Sequence, residues 1–597
     1  MGLIEQEKIR NIAIIAHVDH GKTTLVDHLF RQSGTFRDNQ IVAERLMDSI
    51  DLERERGITI ASKNGGFVYR GFWVNIIDTP GHADFGGQVE RVLGMADGAL
   101  LLVDAQEGPM PQTYFVLKKA LALRLPVIVV VNKIDKPAAR PDWAVNQVFD
   151  LFVKLGAPDD ILNFPVVYTS AKHGYAMHDP AAEKESLEPL YEKIISHIPA
   201  PGGSPDAPLQ MLVSSIDYSP YLGRLGIGKI TGGCLNINRD IVIAQRDGSL
   251  VPARISKLYR FAGNSKVAIE EAGVGEIVAV AGMENVTVGV TYTDPENPQP
   301  LPPVAIDPPT ISMNFVPNNS PFAGRDGRFV TSRHLKDRLY LETLSDVALS
   351  VVELQDTPGF KVSGRGELHL SILIERMRRQ GYEFQVTRPQ VIMKIEDGAV
   401  LEPYEELIID VDEQYMGTVI EKLGARKGRM IEMMKGEGMT RLVYRIPTRG
   451  LLGFKSEFMT DTRGMGVMNY IFWGYGEFAG PMKNRRSGAI VAKDACTTVA
   501  YALFHLQERG QFFIGPGVNV YAGQIIGEHC RENDLHVNPG KGKKMTNMRA
   551  AGSDDNVVLT PPIEMSLEDC ITFINDDELV EVTPKAIRLR QQGRNGT

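Results

Sequence analysis

IRNIAIIAHVDHGKTTLVDHLF, Ile9 to Phe30, passes from a mostly apolar run, broken only by Arg10 and Asn11, to an amphipathic one across a short polar turn. An apolar run of eight residues has the length of a strand buried on both faces, and the stretch after Lys22 spaces its apolar residues as a helix does. Between them Ala16 to Thr23 follows the phosphate-loop spacing GxxxxGK[ST], with Ala in place of the first Gly. In that turn the backbone N–H groups from Asp19, His20 and Gly21 to the helix start at Lys22, Thr23 and Thr24 face a phosphate chain. The Lys22 ammonium reaches the β- and γ-phosphates, and the Thr23 hydroxyl helps hold Mg²⁺.

Working outward, the next residues repeat the strand-then-helix alternation of a parallel sheet covered by helices. ALLLVDA, PVIVVVNKID and FPVVYTSA read as buried strands, and FVYRGFWVNIID as a hairpin. MPQTYFVLKKALALR, WAVNQVFDLFVKLG and LEPLYEKIISHI read as helices. The chemistry-bearing motifs fall where these strands end, which is where ligands bind in open α/β sheets. NKID, Asn132 to Asp135, supplies a carboxylate that accepts two hydrogen bonds from the N1–H and N2–H₂ edge of guanine. Adenine lacks that donor pair and would leave the carboxylate unpaired, a discrimination of ~10⁴ or more. Lys133 packs its stem on the base plane, and Asn132 braces the loop. TSAK adds Ser170, Ala171 and Lys172, with a second base contact through the Ala171 amide. DTPGH, Asp78 to His82, sets Asp78 for an outer-shell Mg²⁺ contact and the Gly81 amide for the γ-phosphate. RERGITI carries Thr59, whose hydroxyl and carbonyl can close over metal and γ-phosphate, within a charged, weakly periodic stretch from Arg37 to Ile60. Taken alone, that stretch also reads as an ordinary surface loop.

AHVDHGKTT, RERGITI, DTPGHADF, NKID and TSAK together resemble the translational GTPases, the family of elongation factors Tu and G. The resemblance implies GTP and GDP as ligands with Mg²⁺, and a catalytic set of Lys22, Thr59, Gly81 and His82, in which His82 positions the attacking water. It also implies that Val18 and Ile58 are the apolar gate flanking that histidine, and that Asp19 lies near the metal. No arginine finger stands out in the first domain, so the expectation is slow intrinsic hydrolysis accelerated by the ribosome.

Composition frames the rest. With 597 residues, roughly four domains are expected. The 43% hydrophobic and 23% charged content is that of globular protein and excludes a largely disordered chain. No uncharged apolar run approaches the ~18 residues of a membrane helix. MGLIEQEKIRNIAII contains acids and lacks a cleavage-type site, so no signal peptide is expected. Cys234, Cys496, Cys530 and Cys570 form no CxxC pair, which fits a reducing cytoplasm rather than a disulfide or zinc scaffold.

Two Pro/Gly-rich breaks, IPAPGGSPDAP and DPENPQPLPPVAIDPP, close the first two units, and the family resemblance divides the rest, giving five: 1–203, the GTPase domain; 204–304, a β-barrel; 305–388, α+β; 389–480, α+β; and 481–597. The fold class is thus multidomain, α/β and β. The middle units resemble the second, third and fifth domains of the elongation factor G group, the last two of these ferredoxin-like. VTRPQVIMKIEDGAVLEPYEEL joins them directly, leaving no room for the domain that reaches the decoding site in that group. The layout is shared by the LepA and BipA/TypA groups. The run NRRSGAIVAKDACTTVAYALFHLQERGQFFIGPGVNVYAGQIIGEH resembles the latter.

Net charge is −9 (65 basic against 74 acidic residues), yet residues 481–597 balance at 14 Lys+Arg and 14 Asp+Glu. Within them, loop 535–553 holds Lys541, Lys543, Lys544 and Arg549 and no acid. Such a loop suits an RNA backbone, and a mobile solvated loop has the same composition. The resemblance implies contact with ribosomal RNA of the large subunit and the acceptor end of transfer RNA, a monomer off the ribosome, no membrane partner, and a role under stress or low temperature. Two roles stay open: a nucleotide-gated large-subunit assembly factor with hydrolysis as its timer, and a LepA-like elongation-cycle GTPase.

Overall fold

The computed structural model describes residues 2–17, 19–34, 51–56, 62–80, 86–180, 182–219, 221–283, 286–302, 308–346, 348–435, 439–482, 487–542 and 558–592. The first unit is a seven-stranded sheet among the described residues: β1 (Ile9–Ala16), β2 (Lys63–Tyr69), β3 (Phe72–Asp78), β4 (Gly98–Asp104), β5 (Val127–Asn132), β6 (Val166–Ser170) and β7 (Tyr175–Met177). Their spatial order is β2-β3-β1-β4-β5-β6-β7. β3, β1, β4, β5 and β6 run parallel, while β2 and β7 close the edges antiparallel. Helices α1 (Lys22–Gln32), α2 (Asp51–Arg56), α3 (Gly86–Leu93), α4 (Pro111–Ala122), α5 (Pro141–Lys154), α6 (Asp159–Leu162) and α7 (Glu188–His197) intervene.

Two cores explain the unbroken apolar runs. Ala13 and Ile15 of β1 face a core with Leu101, Val129, Phe115 and Phe152. Ile12 and Ile14 face the opposite core with Leu25, Leu29, Leu100 and Ile194. A strand covered on both sides has no polar face to alternate with, so it reads as continuous hydrophobicity. Because β3 and β4 flank β1 on opposite sides, the crevice beyond the carboxyl end of β1 is the switch point at which such sheets bind ligands.

The second unit is antiparallel, a nine-stranded sheet with a separate two-stranded one among the described residues, wrapped around Met211, Ile230, Ile243, Leu258, Val280 and Tyr292. It meets the first through paired backbones: Gly66 donates to the Gly263 carbonyl at 3.1 Å, and Gly263 donates back at 2.6 Å. A Cβ on Gly65 would lie 2.8 Å from that same carbonyl, so the close approach requires glycine.

Strands Ile311–Pro317, Ser350–Glu353, Phe360–Gly364 and Phe384–Thr387, with α8 (Ser332–Ser345) and α9 (Glu367–Arg379), make the third unit. Its sheet does not stop at the sequence break. Phe384–Thr387 pairs antiparallel with Glu578–Val582, and the ladder continues through Ile587–Gln591, Gln524–His529 and Ala489–Ala492. One core holds Phe315, Leu373 and Phe384 together with Ile525, Ile571 and Val580. The third unit and the last, read from the sequence as separate, therefore share one sheet and one core.

The fourth unit packs α10 (Glu413–Ala425) on strands Ala399–Asp412 and Met439–Pro447. The two strands Ala399–Asp412 and Val467–Glu477 rest against α4 of the first unit. Among the described residues no helix is long and apolar enough to cross a membrane.

Candidate functional site

The rim of the first sheet gathers the sequence motifs. β1 ends at Ala16 and α1 begins at Lys22, with Asp19 at φ 65° and Gly21 at φ 93° between them. The turn is tight because two of its residues are left-handed. A Cβ on Gly21 would sit 2.5 Å from Asn132 Nδ2, so glycine is required both for conformation and for space. No side chain caps the start of α1. Its first N–H groups, at Lys22, Thr23 and Thr24, have no intrahelical acceptor and bring the partial positive charge of the helix end to where an anion can meet it.

Lys22 is fixed by two contacts, each at 2.7 Å, to Asp78 Oδ1 and to the Thr79 carbonyl. Thr79 in turn donates to the Ile14 carbonyl at 2.7 Å, so the ends of β1 and β3 hold this cation jointly. Asp78 is buried. The donors available to a metal here, the Thr23 hydroxyl and the Asp78 carboxylate, are hard oxygens and few. That set fits Mg²⁺, which draws most of its ligands from water and nucleotide phosphates.

Asn132 is the hub. It is 1% exposed, donates from Nδ2 to the His20 carbonyl at 2.7 Å, and accepts at Oδ1 from Ala171 N–H (2.8 Å) and Thr169 Oγ1 (3.1 Å). One side chain thus joins phosphate loop, NKID and TSAK. The expected base contact through the Ala171 amide meets a competing fact: in this structure that N–H serves Asn132.

Asp135 accepts from Ser170 Oγ at 2.6 Å through Oδ1, and its Oδ2 lies 3.7 Å from His173 Nδ1. Burial pushes the Asp135 carboxyl up, but the Ser170 hydroxyl, the backbone, and the His173 and Lys172 charges outweigh it and hold it below the ordinary range. It is an ionised acceptor with room on its rim, as reading a donor pair requires. Lys133 takes φ 61°, a left-handed value costing a non-glycine residue ~1–2 kcal/mol, and its Nζ lies 2.8 Å from Asp104 Oδ2.

Asp104 and Glu107, at the end of β4 and just beyond it, were not among the sequence candidates. The one local hint is position: AQEG follows ALLLVD on the same rim as the other motifs, though in no ligand-binding spacing. His20, fully buried, sets Nε2 3.5 Å from Glu107 Oε2 and Nδ1 3.4 Å from the Leu102 carbonyl. His17 is pushed down to about 4 by burial, with the neighbouring His20 adding to it.

Val18, Ile58, Thr59, Gly81 and His82 lie outside the described residues, as do Lys543, Lys544 and Arg549. Lys541 is exposed. Pro539 and Thr560 are both tied to the flanks of one helix, Ala500–Leu506. Val499 N–H donates to the Pro539 carbonyl at 3.0 Å, and Thr560 N–H donates to Gln507 Oε1 at 3.1 Å.

Comparison with known proteins accords with this geometry. Residues 7–200 match the family described as elongation factor Tu GTP binding domain, residues 399–486 elongation factor G C-terminus, and residues 487–595 TypA/BipA C-terminal domain. A Salmonella typhimurium protein named large ribosomal subunit assembly factor BipA is 52% identical over 588 residues, 98% of this chain and 97% of its own. Proteins of that name from Bacillus subtilis and Synechocystis are 50% and 51% identical, each over 98% of this chain and 96% and 98% of their own. A crystal structure of a Thermus thermophilus protein shares the fold at TM-score 0.56 and 18% identity, covering 79% of this chain and 98% of that one.

Proposed function

The chain belongs to the BipA/TypA family of translational GTPases, and from that premise we propose that it hydrolyses GTP on the ribosome as a factor in assembly of the large subunit. The observation that carries the nucleotide half is the Asn132 hub, which ties the two base-reading loops to the phosphate loop through one buried amide. The ribosomal half is supported by full-length likeness to relatives named for that role.

In this reading Asp135 accepts from the guanine edge, the stem of Lys133 covers the base, and the start of α1 receives the phosphates. Thr23 and Thr59, with Asp78 in the outer shell, would hold Mg²⁺, which would supply positive charge to the phosphates. Lys22 brings a second positive charge to the same end of the nucleotide. His82 orients the attacking water, and Thr59 and Gly81 report the γ-phosphate. Phosphoryl transfer through a loose transition state asks for positioning and charge rather than covalent chemistry, so a few well-held groups suffice. Loop 535–553, with Lys541, Lys543, Lys544 and Arg549, meets RNA phosphates, including the acceptor end of transfer RNA, and its binding weakens with salt. The protein works as a cytoplasmic monomer off the ribosome.

Sedimentation with a non-hydrolysable GTP analogue tests the assignment. Cofractionation with precursor or isolated large subunits is the expected result. Binding confined to ribosomes already loaded with transfer RNA would contradict assembly and favour an elongation-cycle role.

A further inference from the structure

The end of β4 and the loop after it carry two acidic side chains, Asp104 and Glu107, that point at opposite halves of the nucleotide site. Asp104 is fully buried, and its Oδ2 meets Lys133 Nζ at 2.8 Å and Lys136 Nζ at 3.3 Å. Its Oδ1 accepts the Gln106 N–H at 2.7 Å. Burial pushes this carboxyl up, but the Lys133 and Gln106 hydrogen bonds and the two lysine charges more than reverse the effect, so it stays ionised.

The loop itself is firmly held. Ala105 N–H donates to the Asn132 carbonyl at 2.8 Å, and Arg140 N–H donates to the Ala105 carbonyl at 2.9 Å. From the fourth unit, Arg441 donates to the Pro109 carbonyl at 3.3 Å while Asp410 grips it with two bonds of 2.6 Å. A rigid carboxylate facing a lysine in a left-handed backbone conformation is a device for fixing that lysine's direction. The strain at Lys133 persists only if its surroundings over-determine it, and Asp104 supplies the strongest contact to its side chain.

We propose that Asp104 is a positioning residue of the guanine site: its buried carboxylate holds the Lys133 ammonium so that the lysine stem lies across the face of the base. The inference rests on the base-site reading above, in which Asp135 reads the edge of guanine and Lys133 its plane. The two functions are separable by chemistry. Inosine nucleotides keep the ring and lose the exocyclic N2 amine, so a contact with the plane treats GDP and IDP alike, whereas the edge contact does not.

The test measures equilibrium affinity of the full chain for GDP and IDP. Asp104→Asn keeps the shape and removes the charge. It weakens both nucleotides by the same factor, roughly ten-fold, the scale of one lost charge-assisted contact, and leaves the GDP-to-IDP ratio unchanged. Lys133→Met keeps the stem and leaves Asp104 paired with Lys136, which preserves folding if Asp104→Asn does not. It loses a similar factor, and the double variant loses no more than either single one. Asp135→Asn is the control and collapses the GDP-to-IDP ratio. If Asp104→Asn lowers the melting temperature but binds GDP as the wild type does, Asp104 is only a structural staple and the proposal falls. Additive losses in the double variant would overturn it equally. An unchanged ratio in Asp135→Asn would instead overturn the base-site reading on which it stands.

Discussion

Asp135 offers the sharpest prediction for a single residue. Its carboxylate accepts; an asparagine at the same place also donates. Asp135→Asn therefore loses guanosine nucleotides by ~10³-fold or more and gains xanthosine nucleotides, whose C2 carbonyl replaces the amine. Titration of the full chain with XDP and GDP reads the exchange, and retained GDP preference would sink the role. His17 gives a pH effect of fixed sign. Its folded value, lowered to about 4, is below the ordinary 6.5, so the unfolded chain binds the extra proton between them. Stability is then full above about 6.5 and is lost as pH falls toward 4. The thermal midpoint should drop across that window, and His17→Gln should flatten the drop. A wild-type profile equally flat would contradict the burial argument.

Elements place these residues, and two consequences follow from their packing. Asn132→Ala removes three hydrogen bonds at once and strands a buried carbonyl, hydroxyl and amide, each costing ~1–3 kcal/mol when left unpaired. Nucleotide affinity should fall by at least a hundred-fold, read by equilibrium binding; a change under three-fold would show that the loops hold themselves. Gly21→Ala, at φ 93° with a Cβ 2.5 Å from Asn132, should abolish binding for the same reason seen from the other side.

The elements were also where the sequence was most legible. The runs of β4 and β5 and of β1 from Ile12 onward are apolar because both faces are covered, and the motifs sit at strand ends because the switch point is there. Asp104 and Glu107 were missed for a physical reason. They follow no ligand-binding spacing, and their importance lies in which lysine and which histidine the fold brings to them. The use of the Ala171 N–H by Asn132 is likewise a tertiary fact that no local pattern encodes.

At the scale of the whole molecule, the sequence breaks and the sheets disagree about where units end. A strand's edge is completed by whichever segment pairs with it, and pairing between Phe384–Thr387 and Glu578–Val582 spans almost two hundred residues of chain. Composition changes locally and cannot announce such a ladder. A chain ended at residue 480 would therefore lose the partner strands of the third unit, exposing Phe384, Val386 and an open edge. Such a truncation should aggregate or show early loss of protection from hydrogen exchange around α9, while residues 7–200 stay folded. A third unit as protected as in the full chain would show that it folds without the strands of the last.

The surface charge follows the same logic of place over average. A net −9 coexists with the acid-free stretch 535–553, and Pro539 within it and Thr560 beyond it are both tied to the flanks of one helix, so the mean charge says little about where a phosphate-bearing partner would meet the chain.

The most direct measurement of the central claim is GTP turnover titrated with purified large ribosomal subunits, for the wild type and for His82→Ala. The account predicts turnover that climbs with subunit concentration in the wild type, and a variant that binds GTP normally yet is stimulated little or not at all. Turnover indifferent to subunits, or a variant stimulated as strongly as the wild type, would contradict it.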